Sequence, residues 1–91
     1  MFSLFKVANS KDAVKLANES QYGLAGCVIS KDIKKAEEIC EELECGSTFV
    51  NDFAKSDSRL PMGGIKNSGY GRECGKMGAL EFTNIKTLSI S

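Results

Sequence analysis

The run "PMGGIKNSGYGREC", residues 61–74, holds four of the nine glycines and the only proline of the chain. Glycine-rich runs have two common uses. They cradle phosphate with backbone amides, or they let two backbone segments approach closely. Counting separates the two. A dinucleotide fingerprint needs G-x-G-x-x-G. Gly69-Tyr-Gly71-Arg-Glu instead reaches Cys74, and Gly75 comes one residue late. A phosphate-binding P-loop needs G-x-x-x-x-G-K-[ST]. Gly75-Lys76 supplies the late pair, but Tyr70 and Met77 occupy the other fixed positions. Both phosphate motifs fail, so the run reads as tight turns and close backbone packing.

Upstream, the pattern alternates. Phe2–Val7 is aromatic and β-branched enough for a strand. Asn9 or Ser10 can cap a helix that carries Ala13, Val14, Leu16 and Ala17 as its apolar side and runs to Asn18, with Tyr22-Gly23 as its break. Ala25–Ile29 reads as a buried strand. Lys31–Leu43 reads as a helix with Ile33, Ala36, Ile39, Cys40 and Leu43 at helical spacing, and Gly46 as its left-handed C′ residue. Ser47–Asn51 is a third strand. Strand and helix alternating with short joints predicts an α/β fold, a βαβαβ unit with parallel strands Phe2–Val7, Ala25–Ile29 and Ser47–Val50. A long loop follows from Asp52 to Cys74. Gly75–Phe82 then reads as a short helix with Met77, Ala79, Leu80 and Phe82 as its apolar residues, and Ile85–Ile90 as a C-terminal strand.

Composition bounds the chemistry. The chain has 91 residues, enough for one small domain with a thin core. Its 12 basic residues balance 12 acidic ones, which argues against nucleic acid or an anionic membrane as partner. No apolar run reaches membrane-spanning length and the opening residues do not read as a signal peptide, so the expected location is cytoplasmic. Histidine is absent, which removes Ser-His and Cys-His nucleophile pairs and His-ligated metal from this chain. Cys27, Cys40, Cys45 and Cys74 form no C-x-x-C, so neither zinc nor a thioredoxin-type site is expected, only small buried or half-buried thiols.

The run "PMGGIKNSGYGRECG" resembles the C-terminal signature of the aldehyde dehydrogenase superfamily, P-[F]-G-G-x-K-x-S-G-x-G-R-E-x-G. The likeness continues through "DAVKLANESQYGLAGCVIS" (12–30), similar to the family's helix, asparagine and Tyr-Gly-Leu turn. "ELECGSTFVN" (42–51) resembles its Gly-x-x-x-[VI]-N strand, and "GALEFTNIKTLSI" (78–90) its final helix and strand. "VNDFAKSDSRLP" (50–61) is similar to the succinate-semialdehyde dehydrogenases. Only the C-terminal part of family members is covered. The resemblance places the nucleophilic cysteine, the general-base glutamate, the oxyanion-holding asparagine and the cofactor domain upstream of Met1, so the chain is expected to begin inside a gene's tail. None of the four cysteines stands in the nucleophile's context.

This resemblance implies a division of the chain. Residues 1–66 would be the end of a catalytic domain, 67–84 the glycine loop and short helix, and 85–91 an oligomerisation-type strand. It implies no catalytic, cofactor-binding or metal-binding residue here. It implies two substrate contacts in the intact parent: Ser56, matching a serine that meets the substrate's far carboxylate, and Met62, where the family has a tunnel-lining phenylalanine. Arg59 lies nearby without an assigned role. The parent would use NAD or NADP to oxidise an aldehyde, and this chain alone would be inactive. The terminal strand would favour self-association, a dimer first. The competing expectation is a free-standing interaction or oligomerisation module without catalysis. A small nucleotide-binding enzyme is disfavoured by the failed phosphate motifs.

Overall fold

The computed structural model describes residues 1–91. In chain order it contains α1 (Ser10–Asn18), β1 (Tyr22–Gly23), β2 (Ala25–Val28), α2 (Ile33–Glu42), β3 (Ser47–Val50), β4 (Ile65–Lys66) and α3 (Gly75–Leu80). The α/β class stands. At its centre is one parallel βαβ unit. β2 pairs with β3 in the register Ala25↔Ser47 through Val28↔Val50, and α2 crosses between them.

Both longer helices start where a side chain can satisfy a free amide. Asn9 Oδ1 accepts from Asp12 N at 2.8 Å, and Asp32 Oδ1 accepts from Lys35 N at 3.1 Å. The apolar stripe of each helix turns inward. Val14, Ala36 and Cys40 are the buried apolar residues, and they form the small core between α1, α2 and the sheet. The far end of the β2/β3 pair is closed by Asn51. Its side-chain amide donates to Ser30 O at 2.9 Å and accepts from Ser30 N at 2.8 Å. It thereby copies one more rung of the ladder, from a left-handed backbone at φ 53°.

Three expectations need correction. Phe2–Val7 and Ile85–Ile90 are extended but pair with nothing, so they are not strands in this chain. A strand exists through its partner, and no partner lies within reach of either end. Phe2 and Leu4 are 89% and 90% exposed, as fits chain without cover. These arms stretch the chain to 62 Å, and its radius of gyration of 16.8 Å exceeds the ~12 Å of a compact chain this long. Second, Gly46 is not left-handed. It is glycine because the glycine loop lies against it, as described below. Third, α3 buries Gly78 rather than its apolar side chains. Met77 and Phe82 stay exposed, while a Cβ at Gly78 would sit 2.5 Å from the carbonyl carbon of Glu73.

One pairing escaped the sequence. β1 and β4 form a two-residue antiparallel ladder, Tyr22↔Lys66 and Gly23↔Ile65. It fastens the loop that follows β3 back onto the turn after α1. No helix is long and apolar enough to cross a membrane.

Candidate functional site

The glycine loop is packed onto itself and onto the βαβ unit. A Cβ on Gly46 would collide with the carbonyl of Gly63, and one on Gly63 with Gly71 O and the Arg72 stem. A Cβ on Gly64 would lie 2.5 Å from Ser68 Cβ. Each glycine thus admits a neighbouring segment. Gly69 and Gly71 do something else: their φ values of 135° and 71° make the turns that L side chains resist.

Polar contacts then hold the folded loop. Met62 and Glu73 exchange backbone hydrogen bonds, with Met62 N to Glu73 O at 2.8 Å and Glu73 N to Met62 O at 2.7 Å. Arg72 Nη1 donates to Gly64 O at 3.0 Å and Gly71 O at 2.6 Å. Ser68 Oγ accepts from Gly23 N at 2.9 Å. Lys66 Nζ donates to Asn18 O at 2.8 Å and Ser20 O at 3.2 Å, and pairs with Glu44. Carbonyls left free at the end of a helix attract such a cation. Asn18 joins the same knot: it donates to Glu42 O and accepts from Glu44 N, both at 2.9 Å.

An open groove of about 600 Å³ runs beneath this loop. Ser56 and Met62 both line it, together with Ser68, Tyr70, Arg72 and Glu81. The two residues singled out from sequence therefore line the same groove. Ser56 is exposed, and its hydroxyl bonds nothing within the chain. Met62 also lines a second cavity of about 390 Å³ on the side of β3, so it is the partition between the two. Arg59 does not reach the groove. Its guanidinium pairs with its neighbour Asp57, at 2.9 and 2.7 Å, in a loop turn. That bond holds the Asp57 carboxyl below the usual carboxylate range. Lys55 does the same to Asp52.

The thiols are free and dispersed: Cys27 is exposed, Cys40 buried, Cys45 and Cys74 half-buried. Cys27 thus departs from the buried or half-buried reading. Burial pushes the Cys45 thiol up, and its Sγ donates to Ser47 O at 3.2 Å. A catalytic nucleophile needs the opposite shift. The loop does not fit a dinucleotide either. Its glycine faces are filled by protein at Gly63, Gly64 and Gly71 and open only at Gly69, and α3, six residues long, begins from a left-handed Cys74 without a side-chain cap.

The aldehyde dehydrogenase family model matches residues 1–88. This chain belongs to the aldehyde dehydrogenase family. It is 46% identical over 83 residues to a succinate-semialdehyde dehydrogenase [NADP(+)] of Deinococcus radiodurans, covering 91% of this chain and 17% of that protein. It is 44% identical over 79 residues to the betaine aldehyde dehydrogenase of Bacillus subtilis, covering 87% and 16%. Among solved structures, the Staphylococcus aureus betaine aldehyde dehydrogenase in complex with NAD+ aligns at TM-score 0.79 and 47% identity, over 81% of this chain and 15% of that one. Gox0499 aligns at TM-score 0.89 and 47% identity, over 93% and 19%. The chain thus spans less than a fifth of the relatives it matches.

Sequence reasoning missed one residue that lines the groove, Arg72, and one that contacts Met62 from outside it, Ser47. Arg72 was visible within the family signature, but its staple role depends on two carbonyls that only folding brings together. Ser47, whose Oγ lies 3.4 Å from Met62 Sδ, gave no local signal at all.

Proposed function

We propose that this chain serves as the C-terminal portion of an NAD(P)-dependent aldehyde dehydrogenase that acts on succinate semialdehyde. The observation that carries the reading is the groove that Ser56 and Met62 both line. Ser56 offers an unpaired hydroxyl and would receive the carboxylate at the far end of the substrate. Met62 offers a flexible apolar wall for the carbon chain between that carboxylate and the aldehyde. The substrate class is also the one named for the Deinococcus relative. The thiolate that attacks the aldehyde and the site that accepts hydride on NAD(P) would come from the rest of such an enzyme. Nothing in this chain replaces either, and alone it turns over no aldehyde.

The test is a fusion of residues 1–91 behind the upstream portion of the Deinococcus relative. The fusion should reduce NADP in the presence of succinate semialdehyde, while the 91-residue chain should give no reduced cofactor with NAD or NADP. Turnover by the short chain that is lost when one cysteine is alkylated would overturn the proposal.

The exposed arms favour a companion reading, self-association in the cytoplasm. Phe2, Leu4 and Phe5 at one end, and Ile85, Leu88 and Ile90 at the other, are apolar and uncovered. Extended chain with free amides recruits other chains, and a C₂ dimer is the commonest way to bury such surface. Light scattering at micromolar concentration should find a dimer that dissociates when residues 85–91 are removed. A monomer unaffected by that deletion would refute it.

A further inference from the structure

We propose that Ser47 is a positioning residue that sets the shape of the substrate groove by holding the thioether of Met62. Methionine has three rotatable side-chain bonds, and as a wall it would ordinarily sample several shapes. Here both ends of its path are fixed. The Met62 backbone is held by its two hydrogen bonds to Glu73. Ser47 stands at the first position of β3, where it pairs with Ala25 and its N donates to Leu24 O at 3.2 Å. Its carbonyl accepts from Cys45 Sγ at 3.2 Å. From this anchored position its hydroxyl donates to Met62 Sδ at 3.4 Å. Ser47 lines only the smaller cavity, whereas Met62 lines both. The hydroxyl therefore holds the thioether toward β3, on the side of the smaller cavity, and out of the larger groove that Ser56 also lines. Loss of the hydroxyl frees the thioether to swing into the groove. The specificity consequence rests on the function proposed above; the side-chain consequence does not.

The test has two arms, so the two readings fail separately. In the first, the 91-residue chain is labelled with ¹³C at the methionine methyls. Three signals are expected, for Met1, Met62 and Met77, with Met62 assigned by its loss in Met62→Leu. Ser47→Ala should move the Met62 methyl toward the rotationally averaged position taken by Met1, with Met77 unmoved. Ser47→Thr, which keeps a hydroxyl, should retain the parent position. A Met62 signal already averaged in the parent chain, or unmoved in Ser47→Ala, overturns the proposal. So does a Ser47→Ala spectrum in which Met62 and Met77 shift together. In the second arm, the fusion enzyme is assayed with succinate semialdehyde and with a chain-branched analogue. One hydroxyl donated to a weak acceptor sits at the low end of hydrogen-bond strengths, so the ratio of the two KM values should change by about two- to threefold in Ser47→Ala with kcat retained. An unchanged ratio, or an equal fall in kcat for both aldehydes, overturns the positioning role even if the fusion is active.

Discussion

Gly46→Ala puts the packing of the glycine loop to a quantitative test. Gly46 enters β3, and its N donates to Gly23 O at 3.0 Å, so the strand side cannot yield without breaking that bond. An added Cβ would lie 2.7 Å from the carbonyl carbon of Gly63 and 3.1 Å from Gly64 Cα, with the Gly63 oxygen closer still. Ordinary contact begins at 3.4 Å; the carbonyl carbon alone requires a retreat of 0.7 Å, the difference between 3.4 and 2.7, and the nearer oxygen requires more. The obstacles are backbone atoms, which cannot rotate aside as a side chain would. Retreat strains the bonds that tie the loop down, Gly23 N to Ser68 Oγ and Asn67 N to Gln21 O, both at 2.9 Å. Overpacking costs about 1–3 kcal/mol, and one loosened hydrogen bond adds about 1 kcal/mol. The expected loss is about 2–4 kcal/mol, a large part of the stability of a chain with six buried residues. Gly26→Ala is the control: its nearest obstacle is the flexible end of Leu43 at 3.0 Å, and it should cost under about 1 kcal/mol. Urea unfolding followed by circular dichroism at the helix band measures both. Equal midpoints for the two variants would refute the close-approach account of Gly46.

Other outcomes follow from single contacts. Asn51→Ala should cost about 1–2 kcal/mol by losing both bonds to Ser30 and leaving a left-handed alanine, and Asn51→Gly should recover part of that by relieving the backbone; identical urea midpoints for the two would contradict it. Alkylation with iodoacetamide, mapped by mass spectrometry, should modify Cys27 first and spare Cys40 and Cys45; early modification of Cys45 would contradict its burial. Because the folded Cys45 thiol lies above its ordinary value of 9.0, its contribution to stability is complete below 9.0 and fades as pH rises through the folded value, so alkaline unfolding should be delayed in Cys45→Ala. Asp52 and Asp57 titrate the other way. Their folded values lie below 3.8, so their support of the 52–60 loop is present above 3.8 and lost as pH falls through the folded values; protection of the Phe53 and Arg59 amides, taken relative to their intrinsic exchange rates, should fall there, and protection that persists to pH 2 would contradict it.

What could be read before folding was what local sequence encodes. The cap Asn9, the helical spacing of Ala36 and Cys40, and the alternation that gives the parallel β2/β3 pair are all written within a few residues, whereas the cap Asp32, inside the helix as read from sequence, came only with the structure. The groove wall was legible only through the family signature, which drew attention to Ser56 and Met62. The failures share one cause, namely dependence on a distant partner. Phe2–Val7 has strand composition but nothing to pair with. Tyr22–Gly23 reads as a helix break, yet it pairs with Ile65–Lys66 across more than forty residues. Gly46 stands where a helix-ending glycine would, and only the arrival of Gly63 shows that closeness, not handedness, requires it. Ser47 carries no periodic or compositional mark; its significance appears when the loop folds Met62 over it.

The account stands most directly on the role of Ser56. In the fusion enzyme, Ser56→Ala should raise the KM for succinate semialdehyde by roughly ten- to a hundredfold with little change in kcat, since a hydrogen bond to a charged group contributes about 1.5–3 kcal/mol. The KM for butanal, which lacks the carboxylate, should stay as it was. A KM for succinate semialdehyde unchanged by the substitution, or an equal rise for both aldehydes, would contradict the claim that this wall reads the substrate's far end.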